Sequence, residues 1–193
     1  MLKKYFKYFL YNQILSRILY RYERHVMYRI RDVWGIVHLK SIKNKGRNVK
    51  LVGYSRFLDP DGLTIGDNVR IGYDCFFFCK GRIIIGSNTI ISRSVIIYSS
   101  NHNYNGDAVP YDNQYIHKPV NIGKNVWIGM GVIICPGVTI GDNAIIGMGT
   151  VVAQNVNDGE IIVGSPQRCI RLRDLKFLKL LESEGKINSV LWP

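Results

Sequence analysis

Long hydrophobic runs are missing from this sequence of 193 residues. A membrane-spanning helix needs about 20 consecutive apolar residues, and no run approaches that length, so we expect no transmembrane segment. Lysines at positions 3 and 4 resemble the start of a signal peptide, but Lys7, Asn12 and Arg17 interrupt the apolar stretch and no small-residue cleavage site follows. We therefore expect the protein to be retained in the cytoplasm.

Cysteine is also sparse, and the cysteines that are present lack the paired spacing of a zinc finger. They are Cys75, Cys79, Cys135 and Cys169. Because thiols are normally reduced in the cytoplasm, we expect no disulfide framework. We interpret most of these residues as small buried hydrophobic side chains.

Acidic residues are outnumbered, with 14 Asp and Glu against 26 Lys and Arg and a net charge of +12. The imbalance is concentrated in residues 1–50, which hold thirteen basic residues against two acidic ones and so carry +11. The remaining residues are nearly neutral, and a hydrophobic content of 47% argues against a disordered chain. This distribution predicts a basic N-terminal segment attached to an ordinary folded body.

The most regular feature of the sequence is a period of six residues. Large apolar residues recur at this spacing in two groups: Ile65, Ile71, Phe77, Ile85, Ile91 and Ile97, with a slip of two residues near Gly81, and then Ile122, Ile128, Ile134, Ile140, Ile146 and Val152. A helix would repeat every three or four residues and a strand every two. A period of six instead predicts a chain that turns a corner every six residues and stacks flat faces, with the large apolar side chains inward.

Three motifs accompany this repeat: Val126-Trp127-Ile128-Gly129, Ile134-Cys135-Pro136-Gly137-Val138-Thr139-Ile140-Gly141-Asp142-Asn143 and Val163-Gly164-Ser165-Pro166. They resemble the bacterial hexapeptide-repeat acyltransferases, in particular sugar O-acetyltransferases of the maltose and galactoside type, including those that modify surface polysaccharides. The resemblance implies an all-β fold, a left-handed parallel β-helix that is usually a homotrimer. It also implies transfer of an acetyl group from acetyl-CoA to a saccharide acceptor, with no metal.

We divide the chain into three parts on this basis. Residues 1–46 are expected to form a basic amphipathic helical segment, and residues 47–165 the β-helix with an inserted loop at 103–121. Residues 166–193 are expected to form a helical tail, with the helix between Leu172 and Leu181 closing the far end of the solenoid.

One histidine stands where the repeat is interrupted. His102 ends the hexad that starts at Ile97, and the repeat then stops until Ile122. Loops carried on a rigid solenoid are frequent binding sites. A neutral imidazole can take the proton of a sugar hydroxyl as the oxygen attacks a thioester, and by the resemblance His102 matches the general base. The alternative is a solvated loop histidine.

The other site residues come from the resemblance. The backbone N–H of Met130, next to Gly129, matches the group that faces the developing oxyanion, and Trp127 either lines the pocket or covers an outer face. Positions along the coenzyme groove are Met148, Ala153, Gln154, Arg168 and Arg171. Gln154 replaces a lysine of relatives, whereas the two arginines match basic positions near the CoA phosphates; their alternative is a solvated tail.

Acceptor recognition is the least defined part of the site. Asp74 matches an acceptor-binding position, although it is equally interpretable as a corner carboxylate, and Gly72 and Lys80 match two more. Asn101 and the loop tyrosines Tyr104 and Tyr111 are candidate saccharide contacts. The acceptor itself does not follow from the sequence, and a lipid-linked saccharide is one form that it can take.

The basic N-terminal segment carries an apolar stripe on one helical face: Tyr11, Ile14, Leu15, Ile18, Leu19, Tyr22 and Val26. Two roles fit it equally: peripheral contact of residues 1–45 with anionic lipid at the inner face of the plasma membrane, and a cap over the end of the solenoid. We expect no nucleic-acid partner, because no recognition motif accompanies the charge.

Three other functions remain open. A xenobiotic acetyltransferase of the streptogramin or chloramphenicol type shares the fold and a pair like Asn101-His102. A γ-type carbonic anhydrase needs three histidines for its metal, and only His102 and His117 lie in the repeat region. A solenoid that has lost catalysis and serves as a scaffold is the non-enzymatic alternative.

Overall fold

The computed structural model describes residues 2–22 and 26–185, in which the repeat winds into a parallel β-solenoid of about six turns. Strands are numbered in chain order. The first sheet contains β1 (Asn44–Lys45), β4 (Leu63–Ile65), β7 (Ile83–Ile85), β12 (Val120–Ile122) and β15 (Thr139–Ile140). The second contains β2 (Lys50–Leu51), β5 (Arg70–Ile71), β8 (Ile90–Ile91), β13 (Trp127–Ile128), β16 (Ile145–Ile146), β18 (Glu160–Val163) and β19 (Arg168–Leu172). The third contains β3 (Arg56–Leu58), β6 (Phe76–Phe78), β9 (Ile96–Tyr98), β14 (Ile133–Ile134) and β17 (Val151–Val152).

The interior of the solenoid is the stack of large apolar residues that the period predicts. All twelve of them are at most 3% exposed, and strand pairing places each directly over its counterpart in the next coil, as for Ile91 and Ile128. The predicted parallel β-helix of hexapeptide repeats is therefore confirmed. Burial of each side chain contributes about 1.5–3 kcal/mol, so the stack is a major source of hydrophobic stabilisation.

The two-residue slip lies at a corner between the third and first sheets and leaves the stack intact. Ile65 pairs with Ile85 and Phe77 with Ile97, a spacing of 20 residues, whereas Ile122 pairs with Ile140 after 18. Gly81 makes this wider corner fit, because a Cβ there would lie 1.8 Å from the carbonyl oxygen of Ser99. The prediction that the slip leaves the stack intact is confirmed, but the bulge is not limited to one turn, because Phe57 and Ile65 in the preceding coil are also eight residues apart.

The corner between the first and second sheets is built from asparagines. Asn48, Asn68, Asn88, Asn125 and Asn143 have φ values of 54–63°, which asparagine tolerates better than most residues. Each side-chain amide donates to the next asparagine in the stack over 3.0–3.3 Å. The ladder satisfies polar groups along the whole edge and holds the coils in register.

The N-terminal segment contains two helices, α1 (Leu2–Tyr22) and α2 (Tyr28–Ser41), of which α2 covers the first coil. Gly35 is buried so closely that a Cβ would lie 2.1 Å from the carbonyl oxygen of Leu51. The rings of Trp34 and His38 pack on Tyr54 with centroid distances of 6.3 and 4.9 Å. The cap over this end of the solenoid is therefore α2.

The predicted apolar stripe does not form that cap. From Tyr11 to Tyr22 its side chains are exposed along α1, at 39–65%, and Val26 is 39% exposed. The helix is confirmed, but it begins at Leu2 and its apolar face has no partner within the described part of the chain. None of the described helices is both long and apolar enough to span a membrane.

The opposite end of the chain differs in part from the sequence-based expectation. Residues of β19 turn back antiparallel to β18, and the third helix, α3 (Leu175–Ser183), begins only after this hairpin. Asp174 caps α3 by accepting hydrogen bonds from the N–H groups of Lys176 and Phe177. Leu175 packs on Gly159 of the last coil, which places α3 at the predicted end of the solenoid.

Candidate active site

The largest break in the solenoid is an excursion between the third and first sheets, from Tyr98 to Val120. It forms a hairpin of β10 (Ser100–His102) and β11 (Tyr115–His117), which pair antiparallel. The Ser100 hydroxyl and Nδ1 of His117 lie 2.9 Å apart across the hairpin. The excursion therefore begins three residues before the end of the hexad that starts at Ile97, and Asn101 is exposed on it.

His102 is half-buried between two tyrosines of this excursion. Its ring stacks on Tyr111 with a centroid distance of 3.9 Å and an interplanar angle of 18°, and Tyr115 lies 4.7 Å away, tilted by 34°. In the described residues no side chain or backbone group hydrogen-bonds the ring nitrogens of His102. The imidazole is thus held by stacking, with its nitrogens available to a substrate.

The loop that carries Tyr111 is organised by a single carboxylate. Asp112 accepts hydrogen bonds from the Asn103 side-chain amide and from the Gln114 N–H, each 2.8 Å long. On the solenoid side, Nζ of Lys80 lies 4.5 Å from the centre of the Tyr115 ring. These contacts of Asp112 and Tyr115 were not predicted from the sequence, because contacts across a long loop leave no periodic signal.

The candidate acceptor residues do not all meet at this hairpin. Tyr111 contacts His102, whereas Tyr104 is 64% exposed farther along the loop. Asp74 lies on the corner between the second and third sheets, with φ of 59°, and accepts a 3.2 Å hydrogen bond from the Ser94 hydroxyl. Its local contacts are those of a corner carboxylate.

Gly129 and Met130 lie on that same corner, two coils farther along. The Gly129 N–H donates to the Ile146 carbonyl, but the N–H of Met130 has no hydrogen-bond partner among the described residues. Met148 follows one coil on and is 72% exposed, and Trp127 is 53% exposed on the second sheet. The corner therefore offers an unpaired amide flanked by exposed apolar side chains.

Ala153 and Gln154 lie on the corner between the third and first sheets, where a side chain already binds their backbone. The N–H groups of both donate to Oε1 of Gln167, at 2.8 and 2.9 Å, and Gln167 donates back to the Gln154 carbonyl. Arg168 and Arg171 follow on β19 with exposed side chains. Gln167 was not identified from the sequence.

The predicted site residues thus lie on two different edges of the solenoid, each edge being the stack of corners between two sheets. His102, Tyr111 and Gln154 lie where the third sheet meets the first, whereas Met130 and Asp74 lie where the second meets the third. Six residues of extended chain separate these edges, a span on the order of 15–20 Å. A single chain does not bring His102 to the Met130 amide.

The cysteines are not placed for nucleophilic chemistry. Burial raises the pKa of the Cys75 thiol to about 11 and that of Cys79 to about 12, so both stay protonated at neutral pH. Cys135 packs against the core and Cys169 is exposed. The interpretation as small buried residues is confirmed for Cys75 and Cys79.

The described residues contain no group of three metal-ligating side chains.

Comparison with known proteins agrees with the repeat. The family model described as bacterial transferase hexapeptide (six repeats) matches residues 119–154. An Escherichia coli protein named dTDP-4-amino-4,6-dideoxy-D-glucose acyltransferase is 34% identical over 175 residues, which cover 77% of this chain and 91% of that protein. The chain belongs to the bacterial hexapeptide-repeat acyltransferase family.

Solved structures of hexapeptide transferases share the fold. A galactoside acetyltransferase in complex with coenzyme A matches with a TM-score of 0.63 and 29% identity, over 69% of this chain and 66% of that one. AntD, an N-acyltransferase from Bacillus cereus in complex with dTDP and 3-hydroxybutyryl-CoA, matches with a TM-score of 0.61 and 26% identity, over 78% and 95%. The predicted enzyme class, acyltransferase, is confirmed, and both solved relatives hold the class of co-substrate expected from the sequence.

Proposed function

We propose that this hexapeptide transferase moves an acetyl group from acetyl-CoA to a hydroxyl of a saccharide, in the biosynthesis of a surface polysaccharide. The observation that carries the proposal is His102, a half-buried imidazole with unpaired ring nitrogens on the one hairpin that leaves the described solenoid between successive coils. The CoA complexes of the related structures support the donor. Their names and that of the E. coli relative support a saccharide acceptor.

The reaction needs one base and one oxyanion donor. The acceptor oxygen attacks the thioester carbonyl carbon while its proton passes to a ring nitrogen of His102, and the N–H of Met130 stabilises the negative charge on the carbonyl oxygen. The C–S bond then breaks, and the proton returns from His102 to the departing thiolate of CoA. A thiolate is a good leaving group, so no covalent enzyme intermediate is required.

A second candidate acceptor is an amine of an amino sugar. It is favoured by the E. coli relative, whose name specifies an amino sugar linked to dTDP and which this chain matches over 91% of its length. The same residues serve this reaction, because an amine attacks the thioester in the same geometry and releases one proton to His102.

The two-edge arrangement supports a homotrimer with its active sites between subunits. His102 of one subunit and Met130 of its neighbour would then face each other across the interface, and cyclic closure would repeat the site three times. This arrangement would also bring the Met148 edge of one subunit to Gln154 and β19 of the next, the positions that we assign to the coenzyme.

We further propose that α1 binds the anionic surface of a membrane. Its exposed apolar face includes Ile14, Ile18 and Leu19, with Arg21 on the flank of that face and Arg17 on the opposite side of the helix. An amphipathic basic helix of this kind lies in the headgroup region, with about 1 kcal/mol of attraction per basic residue. The capping role is already filled by α2.

The test of the catalytic proposal is the release of CoA thiol from acetyl-CoA in the presence of a panel of neutral sugars, amino sugars and nucleotide sugars. Replacing His102 by Asn should lower kcat by about 10²–10⁴ with the accepted sugar. The matched control is His117→Asn on the partner strand of the same hairpin, which should retain most of the activity. Wild-type activity in His102→Asn would remove the proposed base, and a wild-type enzyme inactive on the whole panel would refute the saccharide acceptor.

A further inference from the structure

The corner that carries Met130 also carries an arginine one coil away. Arg93 occupies the equivalent position in the third coil, and the N–H of Gly131 donates to its carbonyl oxygen at 3.1 Å. Neighbouring coils of a β-solenoid are about 4.8 Å apart, so the backbones of Arg93 and Met130 are adjacent. The arginine therefore lies on the wall that supplies the proposed oxyanion donor.

The guanidinium of Arg93 is held in place by neutral groups on both sides. Its Nε donates to Sδ of Met130 at 2.9 Å, and its Nη1 donates to the hydroxyl of Tyr73 in the second coil. The guanidinium carbon also lies 5.5 Å from the centre of the Tyr73 ring. These contacts orient a long, exposed side chain across three coils, which lowers the entropy cost of using it to bind a ligand.

No carboxylate neutralises this cation in the described residues. The ion pairs found there join Lys43 to Asp61 and Arg47 to Asp67. Asp74, the acid nearest to Arg93 along the same edge, accepts a hydrogen bond from Ser94. No ion pair therefore balances Arg93 in this part of the chain, and the donors of its fork that Met130 and Tyr73 leave unused are available to an anion.

We propose that Arg93 binds a phosphate group of the acceptor, so that the substrate is a sugar phosphate or a sugar linked to a nucleoside diphosphate. This inference rests on the proposed function, because it takes the Met130 amide to be the place of the thioester carbonyl. The phosphates of CoA lie at the far end of the pantetheine arm from its thioester. An anion beside Met130 therefore belongs to the acceptor, and the planar fork of arginine suits phosphate oxygens.

Binding of dTDP to the full-length protein, measured by isothermal titration calorimetry with CoA present, tests this site without requiring turnover. Replacing Arg93 by Gln should weaken dTDP binding about 10- to 100-fold, since a charge-assisted hydrogen bond is lost. Arg93→Lys should lie between the two, because it keeps the charge but not the fork. Lys124→Gln, which removes an exposed charge from the asparagine corner, should bind dTDP like the wild type.

Affinity for CoA, titrated separately, distinguishes the two sources of phosphate. We expect Arg93→Gln to change it by less than about twofold. A loss of CoA affinity with unchanged dTDP binding would assign Arg93 to the donor and overturn the proposal, as would a wild-type protein that does not bind dTDP. Binding of dTDP that depends on Arg93, in a protein that acylates no sugar, would uphold the site while refuting the proposed reaction.

Discussion

Met130 takes part in the proposed chemistry through its backbone N–H and not through its side chain. Its side chain is 36% exposed, and the residue after it, Gly131, has φ of +68°, so the pair forms the centre of a tight turn. A positive φ at the second central position is typical of a type II turn, in which proline is favoured at the first. Only the N–H of Met130 is needed to stabilise an oxyanion, so the side chain is expected to be dispensable for that step, although its sulfur also orients Arg93.

Replacing Met130 by Pro therefore removes the N–H while suiting the turn. We expect kcat for acetyl transfer to fall by about 10²–10³, with little change in the melting temperature. The control is Met130→Ala, which keeps the amide but loses the contact with Arg93, so its kcat at saturating acceptor should stay within about threefold of the wild type and any loss should appear in KM for the acceptor. Equal losses in both variants would show that the side chain, and not the amide, matters at this corner.

For single residues, burial could be predicted from the sequence wherever the residue belongs to the six-residue repeat. The twelve large apolar positions were all identified, because burial in a solenoid depends only on the period. The start of the excursion after Tyr98 was not identified, since nothing local marks the point where the chain leaves the third sheet. The stacking of His102 on Tyr111 was also not predictable, because it depends on how a loop of eight intervening residues folds back.

At the scale of elements, the apolar stripe correctly predicted the helix α1 but did not indicate what that helix packs against. The stripe from Tyr11 to Tyr22 is regular, yet α2, whose pattern is weaker, is the helix that covers the solenoid. The decisive feature is Gly35, where the absence of a side chain lets the helix approach the backbone of the first coil. Periodicity describes a face of a helix, whereas a cap also requires a shape that fits.

Because α2 and not α1 caps the solenoid, the membrane role of α1 can be tested by deleting α1 alone. Removing residues 1–22 deletes α1 but keeps α2 and the buried Ile42, so the solenoid should stay folded and acetyl transfer should be unchanged. Sedimentation with vesicles containing phosphatidylglycerol should fall at least about tenfold relative to the full chain, because most of the basic apolar surface is gone.

Two comparisons control this measurement. Vesicles of neutral phosphatidylcholine should bind the full chain more weakly than anionic ones, and raising the salt concentration should reduce the difference. Undiminished sedimentation of the truncated protein would refute a membrane role for α1.

At the scale of the whole molecule, the structure places His102 and Met130 on different edges of the solenoid, a separation that could not be predicted from the sequence. Motif matching names His102 and Met130 but carries no information on which edge of the solenoid each occupies. Strand order supplies it, because β9 and β14 of the third sheet stand between the two edges. If the chemistry requires both residues, at least two subunits must contribute to each active site.

Mixing two inactive variants tests this arrangement directly. His102→Asn and Met130→Pro should each be nearly inactive as a homotrimer, whereas subunits co-expressed with different tags and purified for both should regain activity. Every trimer purified through both tags contains both variants, and one of its three interfaces pairs an intact His102 edge with an intact Met130 edge, so the mixture should recover up to about a third of the wild-type rate. Light scattering should give about three times the 22.1 kDa chain mass for every sample. Mixed trimers as inactive as the two parents would place both residues in a site within one subunit, and a monomeric mass would exclude the shared site altogether.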